Sequence, residues 1–148
     1  MSYQEKKHIV SFISTVFIFG FYCWYIFQKV QDTSMDTTET FHFWAAAILI
    51  LIPVSIVAKI IIAIIFNIIY RITTKEVEPS FSDELDKLID LKATRNSHYV
   101  FTLGFLLAMG SLVLDMTPTT MFIILIFSGF MSEMANVFTR LYHYRKGV

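Results

Sequence analysis

The sequence predicts an all-α integral membrane protein, a four-helix up-down bundle whose third helix extends into the cytoplasm. Three observations point there. Of 148 residues, 55% are hydrophobic and 16% charged, whereas a soluble domain of this size has roughly a quarter of its residues charged. The apolar residues gather into four continuous runs, each near the ~20 residues that cross a ~30 Å hydrocarbon core as a helix. The basic residues crowd into alternate connections, the pattern that orients spans in a bilayer.

The first run, about residues 8–28, is about twice as long as a signal-peptide core, and no small-residue cleavage site follows it. It reads as a retained span. The second, about 41–70, is long enough to tilt or project beyond the bilayer, and Pro53 removes a backbone donor within it, so a kink is expected. The third is about 98–115 and the fourth about 119–142. Backbone groups in lipid must be paired within the segment, which makes these runs helices. Barrel strands would alternate polar and apolar residues. Short outer connections make consecutive helices antiparallel neighbours, and the whole chain, 1–148, reads as one transmembrane domain.

Lys6, Lys7, Arg71, Lys75, Lys87, Lys92, Arg95, Arg140, Arg145 and Lys146 fall on one side of these spans, and Lys29 alone on the other. Both termini are therefore expected in the cytoplasm. Trp24, Tyr25 and Trp44 suit the outer interface, and Tyr70, Tyr99, Tyr142 and Tyr144 the inner one.

The polar stretch between the second and third spans is expected to form a cytoplasmic helical segment over about 82–97. Ser80 or Ser82 can cap it, and Asp83 and Glu84 suit its positive end. Phe81, Leu85, Leu88 and Ile89 share one face, and Asp83, Asp86, Lys87 and Asp90 lie on the other. That second face is either solvated or a docking face in which Asp83, Asp86 and Asp90 receive a basic partner.

The run Asp83-Glu-Leu-Asp-Lys-Leu-Ile-Asp-Leu-Lys-Ala-Thr-Arg95, followed by a Tyr-containing apolar span, resembles a pattern in a family of uncharacterised small bacterial four-helix membrane proteins. In that family a D-E-x-D-x-x-I-x-x-K/R run precedes the third span, and many members carry a base where Leu85 stands here. The resemblance covers about 20 residues and the four-span layout. It implies the fold and a bacterial inner membrane, and brings no known chemistry.

Two ionisable residues lie at bilayer depth, Lys59 and Glu133. Counted from the outer interface at ~1.5 Å per residue they sit ~24 and ~20 Å deep, close enough to meet as an intramembrane pair. On the fourth span Gly129, Glu133, Asn136 and Arg140 form a narrow stripe flanked by Ser128 and Ser132. Phe127, Phe130, Met131, Met134 and Phe138 form the opposite face, suited to lipid. Glu133 is thus expected to turn toward other helices, as a structural partner of Lys59, as a titrating group in a small transporter, or as part of an interface. Ser128-xxx-Ser132 and Gly104-xxx-Ala108 are patterns that permit close helix approach.

A formal net charge of zero gives no basic field for nucleic acid. The single cysteine, Cys23, leaves no internal disulfide or CxxC pair. The sequence carries no HExxH, GxSxG, Walker or Gly-rich nucleotide motif, and His8, His42, His98 and His143 are expected at the interfaces rather than on a metal. No enzyme, cofactor or metal is therefore expected. Membrane lipid and a protein partner or second copy are the expected partners. The leading expectation is a non-enzymatic interaction, accessory or regulatory subunit. The alternative is a small homodimeric secondary transporter coupled through Glu133.

Overall fold

A computed structural model describes residues 3–32, 36–75 and 84–146. Its elements are four helices: α1 Tyr3–Asp32, α2 Thr37–Thr74, α3 Glu84–Val113 and α4 Pro118–Lys146, with no strand among the described residues. Every helix is long and apolar enough to cross a membrane, α2 being the most apolar and α3 the least. α2 runs 38 residues, ~57 Å at the usual rise, and continues as helix through Pro53. The proposed caps Ser80 and Ser82, with Phe81 and Asp83, lie outside the described residues.

Local chemistry sets the helix ends. Asp36 caps α2 by accepting from the Glu39 N–H at 2.8 Å, while the Glu39 carboxylate accepts from the Asp36 N–H at 3.2 Å, a reciprocal box that satisfies two orphan donors. Lys75 ends α2 with φ 57°, its N–H donating to the Arg71 carbonyl. α3 stops in a Schellman turn: the Met116 N–H reaches the Ser111 carbonyl at 3.0 Å, and the Asp115 N–H reaches Leu112 at 3.1 Å. That turn requires a left-handed residue, and Asp115 supplies it at φ 59°. Pro118 then opens α4 at the first helical position, where its missing N–H costs nothing.

The cross-helix pairs give the directions. Tyr3 meets Asn67 and Tyr22 meets Ala47, so α1 and α2 run antiparallel. Asp86 meets Tyr144 and Ser97 meets Ser132, so α3 and α4 do too. Trp44 stacks with Phe122, and Lys59 meets Glu133, so α2 runs parallel to α4. α4 touches all three other helices, whereas among the described residues the α3 backbone approaches α4 alone.

The α3–α4 seam is the most intimate. Ile89, Ala93, Gly104, Ala108 and Ser111 are buried along α3 at helical spacing. At Gly104 the helices come so close that an added Cβ would lie under 3.0 Å from the Cβ and Oγ of Ser128, and 3.3 Å from its Cα. A second cluster, Ile26, Trp44, Ala47 and Ile126, joins α1, α2 and α4 at the other side of the molecule.

Two sequence expectations are corrected. Met134 does not face outward: it is 6% exposed, because α1 packs on that flank of α4, with Phe19 stacked on Phe130 at 4.1 Å and Phe12 edge-on to Phe138. In the lower half of α3 the expected faces hold only in part: Ile89 is buried, but Leu85 and Leu88 are exposed, while Asp86 and Asp90 turn to α4.

Candidate functional site

The polar residues of α4 divide between two neighbours. Toward α3, Ser128 is buried against Gly104, its hydroxyl donating to the Ile124 carbonyl at 2.6 Å. One turn on, Ser132 shares a 2.6 Å hydroxyl contact with Ser97 and donates to the Ser97 carbonyl at 3.0 Å. Asn96 donates to the Thr139 hydroxyl at 3.2 Å. Arg140 forms an ion pair with Asp90, and its Nε donates to the Asn136 Oδ1 at 2.8 Å. Tyr144 donates to Asp86 at 2.5 Å and stacks its ring on His8. Asp86 and Asp90 are thus partnered within the chain.

Toward α2 the same helix presents Gly129 and Glu133. Lys59 Nζ donates to Glu133 Oε2 at 2.6 Å. The pair is not enclosed, for 35% of the Lys59 side chain and 50% of the Glu133 side chain remain exposed. It forms part of the wall of a cavity of about 440 Å³ bounded by α1, α2 and α4, with Phe101 reaching in from α3. Ser55, one turn before Lys59 on the same face of α2, also lines it, as does Thr15 of α1. The Thr15 hydroxyl is already committed to the Ser11 carbonyl at 2.9 Å. The remaining wall is aliphatic and aromatic, including Ile48, Leu51, Ile52 and Ile126.

Of the residues singled out in the sequence, Lys59, Glu133 and Gly129 therefore meet at the cavity. Ser128, Ser132 and Arg140 belong to the α3 seam, and Asn136 accepts from Arg140 on their own helix. Asp86 and Asp90 belong to the lower end of that seam, and Asp83 lies outside the described residues. Sequence reasoning missed Ser97, Asn96 and Ser55, and assigned Tyr144 to the inner interface without its bond to Asp86. A signal for Ser97 existed, since Ser97, Gly104 and Ser111 are small residues seven apart on α3. Ser55 stands four before Lys59, so any face containing one contains the other.

A neutral ion pair with spare hydrogen-bonding capacity, at one end of an apolar slot, can hold a molecule that offers both a donor and an acceptor. These features define an all-α chain with four potential membrane-crossing helices and a polar-ended cavity between them. No family model matches the chain, and no curated protein or solved structure is similar to it.

Proposed function

We propose that the chain is a non-enzymatic integral membrane protein, threaded four times as an up-down bundle through a bacterial inner membrane, both termini cytoplasmic, and acting as an interaction or accessory subunit. The distribution of bases supports the threading, and the resemblance of the run from Asp83 to Arg95 supports the setting. One observation carries the function: over the 38 residues of α2 only Trp44 and Ala47 are buried. Helix association in lipid depends on packing rather than on exclusion from water, and α2 leaves most of its length open to a neighbouring span.

A photo-crosslinking residue at Ile61, Ile65 or Ile68, exposed along one side of α2, is expected to give a discrete protein adduct in native membranes, with a second copy or another membrane chain. Adducts with lipid alone at all three positions refute this function. The threading is tested separately in a Cys23→Ser background. Single cysteines at positions 36 and 115 should label from outside the cell, and one at position 146 only after permeabilisation.

The cavity favours a second function, a small homodimeric secondary transporter in which Glu133 carries the coupled proton. Unchanged proton-coupled flux in liposomes after Glu133→Gln would exclude it.

A further inference from the structure

The cavity is polar at one end only. Lys59, Glu133 and Ser55 mark that end, while Ile48, Leu51 and Ile126 line the other. From Ile48 to Lys59 the slot follows α2 for eleven residues, ~16 Å of helix axis. On the four-span threading above, on which this inference rests, the charged end lies in the cytoplasmic half of the bilayer and the apolar end runs through the midplane into the outer half. This is the polarity of a lipid in the inner leaflet, head inward and chain toward the centre. The backbones of α2 and α3 do not meet among the described residues, and on that side Phe101 is the one α3 residue that lines the slot.

The polar end is incompletely satisfied. Lys59 makes one hydrogen bond, to Glu133 Oε2, and an ammonium has three to give. Glu133 Oε1 and the Ser55 hydroxyl meet no protein partner among the described residues. At membrane depth such groups are costly to leave bare. The pair is neutral, so a ligand of one sign would gain from one partner and be repelled by the other. A zwitterion meets both: its anionic group can accept from Lys59 and Ser55, and its ammonium can donate to Glu133.

Gly129 supplies an independent indication. A glycine in mid-helix weakens the helix relative to alanine. At Gly104 the close approach of Ser128 explains the residue; at Gly129 an added Cβ would meet nothing within 4 Å. Gly20 and Gly110 are equally open, but they do not line the slot. The space above Gly129 belongs to the cavity and is not taken by any side chain.

We propose that the slot between α1, α2 and α4 is a binding site for one zwitterionic phospholipid of the inner leaflet, one acyl chain lying along Ile48–Ile56 and over Gly129, and the phosphate and ammonium engaging Lys59 with Ser55 and Glu133. The volume suits this partial insertion: about 440 Å³ lies in the range of ~300–1,000 Å³ typical of small-molecule sites, and the second chain stays in the bilayer.

The test is native mass spectrometry of the full chain released from nanodiscs containing equal phosphatidylethanolamine and phosphatidylglycerol. The wild type is expected to retain one phosphatidylethanolamine per chain. Gly129→Leu, which fills the slot without meeting backbone, should lower retention at least tenfold. The double variant Lys59→Leu/Glu133→Leu should lose the preference between head groups. Leu106→Trp, on the exposed side of α3 and away from the slot, should change neither. Three results would each overturn the proposal: no retained lipid on an inserted, helical wild type; a preference for phosphatidylglycerol; or equal retention by Gly129→Leu. Extraction of the chain from membranes by alkaline carbonate would instead overturn the four-span threading, and the site with it.

Discussion

Gly104→Ala tests the α3–α4 seam most directly. The new Cβ would fall under 3.0 Å from the Cβ and Oγ of Ser128, and 3.3 Å from its Cα. Ordinary carbon contacts sit at ~3.5–4.0 Å, so the seam must open by at least about half an ångström. Rotating the Ser128 hydroxyl away does not help, because its Cβ is fixed by the backbone and the rotation forfeits the 2.6 Å bond to Ile124. Overpacking of this kind costs ~1–3 kcal/mol, and an obstruction at Cβ and backbone belongs to the upper end. Alanine returns ~1 kcal/mol of helix propensity over glycine. The expected net loss is about 2 kcal/mol, read as the unfolding free energy in bicelles by steric trapping. Ser128→Gly removes the obstructing side-chain atoms while alanine keeps its helix propensity, so the double variant Gly104→Ala/Ser128→Gly should be more stable than the sum of its parts by the overpacking it relieves, about 3 kcal/mol. An unchanged Gly104→Ala, or strictly additive variants, would refute the close approach.

Three further outcomes are expected from the same measurement. Lys59→Leu leaves Glu133 unpaired at membrane depth and should cost about 3 kcal/mol, while Lys59→Leu/Glu133→Leu should recover most of that loss; a double variant worse than the single would contradict the pairing. Asp115→Gly should stabilise by up to ~1 kcal/mol, since the Schellman turn holds this residue at φ 59°, and any loss would point to a role for its carboxylate. Tyr22→Phe removes the hydroxyl bond to the Ala47 carbonyl that joins α1 to α2 and should cost ~1 kcal/mol; no loss would mean that this bond adds nothing to the α1–α2 contact.

Much of the fold was legible because membrane spans declare themselves by length and hydropathy, and α1 to α4 each contain one of the four apolar runs. What misled was the assignment of faces. In the lower half of α3, Leu85, Leu88 and Ile89 look like a packing face by apolarity. The buried stripe keeps the phase set higher up by Gly104 and Ala108, which takes in Ile89 but turns Asp86 and Asp90 to α4 and leaves Leu85 and Leu88 pointing away. Met134 misled differently. A span facing a single neighbour has one lipid side, but α4 has α3 on one flank and α1 on the other, so two nearly opposite faces are covered. The site was legible in part. Counting residues put Lys59 and Glu133 at similar depths, and the structure sets them 2.6 Å apart. The cavity was not legible, because a void is a joint property of three helices and no single helix pattern records it.

The two groups of polar residues on α4 answer to different physical demands. Ser128 meets α3 by close packing on Gly104, while Ser132 and Arg140 are bonded to Ser97 and Asp90, so replacing either of these two leaves a partner behind. Glu133 and Lys59 meet only each other among the described residues, with half of the carboxylate side chain still exposed. Two leucines would join α2 to α4 at comparable stability, since replacing an ion pair by apolar residues of similar volume is often neutral or favourable. A purely structural account therefore gives no reason for two charges at a depth where each is costly. It gives equally little reason for a glycine beside them whose missing side chain nothing fills. Both are accounted for at once under the proposal that the slot is shaped for a guest, which ties the pair to the cavity rather than to the packing of the helices.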